Sequence, residues 1–191
     1  TQQNLDNFIL LLESKYSVSG YYNAEINSSI NIDSQNRVGI ELIINQGERV
    51  KIESFSISGA SHIPEEKLLK LFKIGEADMA FMNYFTKKDL FTEAEFSQGI
   101  DLMTNAYFDS GYLDYKILNV DTKLNDKKDK MSMSIEISEG VQYQLGKVSF
   151  SGELGVINLN ELTSAISMNA GDIFNRNLII KDIQTLTDMF A

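Results

Sequence analysis

The chain has 191 residues, 43% of them hydrophobic, with 27 Asp and Glu against 17 Lys and Arg and a net charge of −10. That is enough apolar material for one or two packed domains, while the acidic balance argues against nucleic acid or an anionic membrane surface, both of which need clustered cations. Cysteine is absent, which excludes disulfides, thiolate metal sites and cysteine nucleophiles together.

In chain order, Leu5, Ile9, Leu12 and Tyr16 recur at helical spacing and predict an amphipathic helix ending at Gly20. Alternation of Tyr22, Ala24, Ile26, Ile30 and Ile32, and then of Val38, Ile40, Leu42 and Ile44, predicts two strands joined by a turn at Asp33 to Asn36. The next segment changes parity between Val50/Ile52 and Phe55/Ile57. Its first half is expected to pack on the preceding unit and its second half to enter the following core. Pro64, Glu65 and Glu66 suit a helix start, Leu68, Leu71 and Phe72 its buried face, Lys73 its last turn and Gly75 its end.

Thr92 and Glu95 have capping-box spacing ahead of Phe96, Ile100, Met103 and Tyr107, a second amphipathic helix that ends at Gly111. A parity break between Leu113, Tyr115, Ile117 and Leu118, Val120 predicts a β-bulge near Ile117 and Leu118. Met131, Met133, Ile135 and Ile137 then alternate with Ser132, Ser134, Glu136 and Ser138, the pattern of a strand with one dry and one wet face. Asp126 to Lys130, where the densest run of lysines is broken by Asp129, reads as a solvated hairpin tip. Tyr143 and Leu145 against Val148 and Phe150 repeat the earlier parity break. Asn160 is the expected cap of a helix bearing Leu162 and Ile166, and Ile179, Ile183, Leu186 and Phe190 mark a last helix.

These landmarks repeat. Tyr16 to Tyr21 and Tyr107 to Tyr112 both read Tyr-x-x-x-Gly-Tyr, Ile44 to Gly47 matches Ile137 to Gly140, Phe55 to Gly59 matches Val148 to Gly152, and Leu68 to Gly75 resembles Leu162 to Gly171. The module is strand, helix, helix, strand, strand. Residues 1–47 are expected to hold the second half of one copy, 48–140 a complete copy, and 141–191 the first half of a third. The half copies have incomplete cores, which leaves two alternatives: residues 141–191 of one molecule complement residues 1–47 of another, or the missing halves exist in the protein and are disordered or cleaved away. The chain opens on an amphipathic run and is expected to be a segment of a longer protein, with any signal or membrane part outside it.

The ordered set Val50 to Gly59, Tyr107-x-x-x-Gly111-Tyr112, Ile137 to Gly140 and Val148 to Gly152 resembles the POTRA repeat of outer-membrane barrel assembly proteins. The long stretch between the two helices of the complete copy, Glu76 to Phe91, is similar to that of the third repeat in such proteins, so parts of a second and fourth repeat are expected around it. The resemblance implies an α+β fold of tandem β-α-α-β-β modules, each a three-stranded mixed sheet covered on one face by two antiparallel helices. It further implies a periplasmic location in an outer-membrane protein, a membrane barrel lying outside this chain, and two kinds of partner: unfolded outer-membrane proteins and accessory lipoproteins. Related translocation-assembly and two-partner secretion transporters carry the same repeat and form the alternative.

The family's sheet places the second strand on an edge. Here that strand is expected to comprise Tyr112, Leu113, Asp114, Tyr115, Lys116, Ile117, Leu118, Asn119, Val120 and Asp121, open to pairing with an extended client. Tyr112 is also read as a packing residue closing the helix end. Met79, Phe81, Met82, Tyr84 and Phe85 form an unusually apolar connection, read either as a cover for the core or as a docking patch for an accessory lipoprotein. His62, the only histidine, is expected on a surface loop without metal-ligand company. No nucleophile, phosphate-loop or dinucleotide motif is present, so no catalytic residue, metal or cofactor is expected and the chain is not read as an enzyme.

Overall fold

A computed structural model describes residues 2–73, 90–152 and 158–190. Helix α1 (Gln2–Val18) leads into a two-stranded antiparallel hairpin, β1 (Glu25–Ile32) and β2 (Val38–Asn45). Then come β3 (Lys51–Ser58), α2 (Glu65–Leu69), α3 (Glu93–Asp109), β4 (Lys116–Leu124) and β5 (Lys130–Ser138). Two further helices follow, α4 (Leu159–Ser164) and α5 (Arg176–Met189). The second sheet has the order β3-β5-β4, with β3 parallel and β4 antiparallel to the central β5. It is the mixed three-stranded sheet expected of the module.

The alternation along β5 sets the core. Met131, Met133, Ile135 and Ile137 are buried, joined by Val50 just before β3, by Ile52, Phe55 and Ile57 on it, by Leu68, Met103 and Tyr107 from the helices, and by Phe72 and Phe91 from the segments next to them. Phe55 meets Phe72 edge-on with ring centres 4.8 Å apart. The parity change in β3 has a different cause from the one expected. A register shift between Ile52 and Ser54 makes Glu53 an extra residue, and both halves of the strand face one core rather than dividing between two.

The helix ends follow local chemistry. Thr92 caps α3 by accepting from the Glu95 backbone N–H (3.2 Å), but the Glu95 carboxylate takes the Thr92 hydroxyl (2.7 Å), so its side of the expected box is diverted. A reciprocal capping box occurs at α4, where the cap is Asn158 with Glu161, not Asn160. Asn158 is the residue with a glutamate three positions on, which is what the reciprocal bond requires. Helix α2 is short, and Gly75 lies outside the described residues.

Equivalent landmarks have equivalent backbones. Gly20 and Gly111 leave their helices at φ +87° and +86°, and Gly47 and Gly140 sit at +66° and +72°. Tyr16–Tyr21 and Tyr107–Tyr112 make edge contacts of 6.1 and 5.8 Å. Each helix exit is also clasped by the chain that follows. Val50 N–H donates to Gly20 O and Tyr143 N–H to Gly111 O, both at 2.8 Å. Arg49 Nε and Gln142 Nε2 donate to Ser19 O and Ser110 O at 3.1 and 3.0 Å. The hairpin tip read as solvated is touched from the segment between α1 and β1, where Asn23 donates to Lys127 O at 2.7 Å. The β1–β2 hairpin has little cover: Ile26 is buried, whereas Ile30, Ile32, Val38, Ile40 and Ile44 on the same face are exposed.

Candidate polypeptide-binding edge

The site begins at the exit of α3. Ser110 and Gly111 turn the chain, and Tyr112 N–H returns to Tyr107 O (3.0 Å). Tyr112 and Tyr115 are thereby driven inward, 3% and 7% exposed, and Tyr115 stacks on Tyr107 at 4.4 Å with planes 10° apart. Residues Tyr112, Leu113, Asp114 and Tyr115 precede the strand instead of forming part of it. The strand starts at Lys116 and extends beyond Asp121 to Leu124.

The Tyr115 hydroxyl is buried without a hydrogen-bond partner. Burial pushes it up to about 12, with Thr104 pulling the other way. Thr104 donates its own hydroxyl to Ile100 O at 2.9 Å, and its oxygen, though near the tyrosine, forms no bond with it in good geometry. Because an unmatched buried hydroxyl costs about 1–3 kcal/mol, Tyr115→Phe should keep the ring stack and stabilise the fold by about 1 kcal/mol, read as a higher thermal midpoint.

A second buried polar group engages the same Tyr107. Glu139, 6% exposed, accepts from the backbone N–H groups of Ser61 (2.9 Å) and His62 (3.0 Å), from the Tyr107 hydroxyl (2.9 Å) and from His62 Nδ1 (2.6 Å). Burial pushes its carboxyl up, but the His62 ring, the two N–H groups and Tyr107 outweigh that and bring it to about 2. Tyr107 is driven well above the usual phenol range, by burial first and then by Glu139. His62 lies on a surface loop as expected, 59% exposed, and through Glu139 it also forms a latch between the β3–α2 connection and the end of β5. Glu139 falls inside the repeated Ile137 to Gly140 landmark, and nothing in that local pattern signals its buried role.

Both outer strands could offer an edge, but they are not equally open. On β3 the Ile57 N–H already donates to the Glu65 carboxylate (2.8 Å), and Lys51 bridges to Leu90. Among the described residues, no hydrogen bond reaches the backbone of β4 from its outer side. The bulge expected near Ile117 and Leu118 is present. Ile117 pairs with Ile137 and Asn119 with Glu136, so Leu118 is the extra residue, 57% exposed. Beyond it Val120 faces Ile135, Thr122 faces Met133 and Leu124 faces Met131, while Asp121 faces Ser134 and Lys123 faces Ser132. Val120 is 41% exposed, so the helical layer stops short of the edge. Lys123 and Asp121 pair at 3.1 Å on the polar side.

Two similar grooves flank the module at its junctions. One, of about 590 Å³, is lined by His62, Ser110, Tyr112, Gln142, Ile173 and Leu178; the other, of about 660 Å³, by Ser19, Tyr21, Arg49, Leu90 and Glu95 among others. Neither includes β4. Met79, Phe81, Met82, Tyr84 and Phe85 lie outside the described residues. Among the described residues no group of three or more metal-ligating side chains gathers, and no helix is long and apolar enough to cross a membrane.

Comparison with known proteins adds a family and a fold. Residues 50–140 match the family described as POTRA, surface antigen variable number repeat. The outer membrane protein assembly factor BamA of Neisseria meningitidis serogroup B is 27% identical over 175 residues, covering 92% of this chain and 22% of that protein. Its namesake from Buchnera aphidicola is 30% identical over 148 residues, covering 75% of this chain and 23% of that protein. The chain thus spans about a quarter of the length of the curated relatives it matches. Among solved structures, repeats POTRA3–5 of Haemophilus influenzae BamA share the fold, with a TM-score of 0.55 and 15% identity over 97% of this chain and 69% of that one.

Proposed function

Residues 50–140 make this chain a member of the POTRA family, and from that premise we propose that it is a non-catalytic, periplasmic scaffold of an outer-membrane barrel assembly factor that receives unfolded outer-membrane proteins by strand addition along β4. One observation carries the proposal: β4 is an outer strand whose far side receives no hydrogen bond from the described residues, while its counterpart β3 is partly closed by Glu65 and by the bridge to Leu90. An edge strand presents main-chain donors and acceptors that pair with an extended segment whatever its sequence, which suits a receptor for many clients. Within the same reading, residues 1–47 and 141–191 belong to the neighbouring repeats. The Met79, Phe81, Met82, Tyr84 and Phe85 run is the proposed docking patch for an accessory lipoprotein, supported by its methionine and aromatic content.

The test uses a photoreactive residue at Val120 on β4 or at Ser56 on β3, with a urea-unfolded outer-membrane protein diluted into the sample. Crosslinking at 120 should exceed that at 56 by at least about fivefold. It should also fall when proline replaces residues at alternate positions of Asn119 to Lys123, since proline removes a donor. Equal yields at the two positions would count against the edge as the receptor.

A further inference from the structure

From the two faces of β4 we infer that the edge reads side-chain alternation in its client, through a lane limited to Asn119 to Leu124 whose phase is set by the Leu118 bulge. This rests on β4 being the receptor edge and says which extended segments it prefers. On the face shared with the core, Val120, Thr122 and Leu124 stand beside Ile135, Met133 and Met131, so the row is apolar at both ends with one threonine between, and Val120 remains 41% exposed. On the other face Asn119, Asp121 and Lys123 stand beside Glu136, Ser134 and Ser132, with no apolar side chain in the row. A strand added outside β4 places its residues alternately beside these two rows, because successive side chains point to opposite faces. Cross-strand neighbours on one face interact directly, so apolar client residues are favoured beside Val120 and Leu124 and polar ones beside Asp121 and Lys123.

The bulge makes this a short reading frame. Ile117 and Val120 differ in parity, and the extra residue Leu118 puts both on the core side. A regular client strand has no extra residue, so it cannot stay in phase on both sides of Leu118. It pairs on the longer side, from Asn119 to Leu124. The preferred ligand class is therefore an extended segment of about six residues in which apolar and polar side chains alternate.

The experiment uses the full 191-residue chain, 15N-labelled, and two synthetic ten-residue peptides of one composition. One alternates valine with serine and lysine; the other holds its valines in a block. Each carries a nitroxide at one end. The alternating peptide should bind about five- to tenfold more tightly, from two or three matched neighbour pairs, and broadening of the β4 amides should define a single register. In the double variant Val120→Ser, Asp121→Val, which moves the apolar side chain to the other face, that register should shift by one residue. Equal affinity for the two peptides with β4 still perturbed would overturn the pattern reading and leave the receptor edge standing. The absence of any β4 perturbation with either peptide would overturn both.

Discussion

Glu139→Ala is expected to cost about 2–4 kcal/mol of stability, because three neutral donors lose the one charged acceptor they share. The alanine leaves the buried Tyr107 hydroxyl without its acceptor, at about 1–3 kcal/mol, and also removes the acceptor of the Ser61 and His62 amides, which sit on exposed residues and lose less. A single domain has roughly 5–15 kcal/mol in hand, so the urea midpoint should fall by about a third. His62→Ala should cost far less, since its ring is 59% exposed and the backbone bonds to Glu139 survive. The pH response has a definite sign. The folded-state value of Glu139 is depressed from 4.5 to about 2. Its contribution is thus complete above about pH 4.5 and lost as pH falls toward 2. Wild-type stability should decline through that window, whereas Glu139→Ala should lack this part of the decline. A loss under about 1 kcal/mol for Glu139→Ala, with an unchanged acid limb, would show that the latch holds nothing.

The second large effect is expected at Gly59. It ends β3 at φ +87°, and a Cβ built there lies 2.0 Å from the Ile137 carbonyl oxygen. The obstacle is backbone in the central strand, so it cannot rotate away as a side-chain tip would. Left-handed strain contributes about 1–2 kcal/mol and the forced separation of β3 from β5 adds to it, for a total of about 3 kcal/mol in Gly59→Ala. In a domain of this size that corresponds to a fall of about 10–20 °C in thermal midpoint. The landmark counterpart Gly152 separates the two causes. Its φ is +115° but among the described residues nothing lies within 4 Å of a built Cβ, so Gly152→Ala carries only the strain and should move the main transition little. Matching losses at both positions would refute the clash.

The repeat was readable because its landmarks are local. Tyr-x-x-x-Gly-Tyr encodes a helix exit that needs positive φ, and both copies adopt it within one degree. The bulge at Leu118 was readable because a parity change inside a strand requires an extra residue. The same signal in β3 was misread, since parity also changes when a segment passes from one core to another, and only the pairing of β3 with β5 decides between them. Tyr112 and Tyr115 looked like strand residues because aromatics alternate well in strands; the turn after Gly111 buries them instead. Glu139 was beyond reach for a different reason: its partners lie 77 or 78 positions away in the β3–α2 connection and 32 away in α3. Gly99 likewise gives no sign that the Phe72 ring lies where its side chain would be.

The parallel pairing at the middle of the sheet also orders events in time. Lys51 lies beside Lys130 and Ser58 beside Glu136, so β3 can join only after a long loop has closed, whereas β4 and β5 meet across a short turn. Long closures slow folding. The hairpin should therefore form first, with β3 completing the domain from a distance. As a nascent chain emerges, β3, α2 and α3 wait for the last strand, and β4 becomes an outer edge only when β5 arrives to hold it. The surface that would greet a client thus matures in the same step that closes the core.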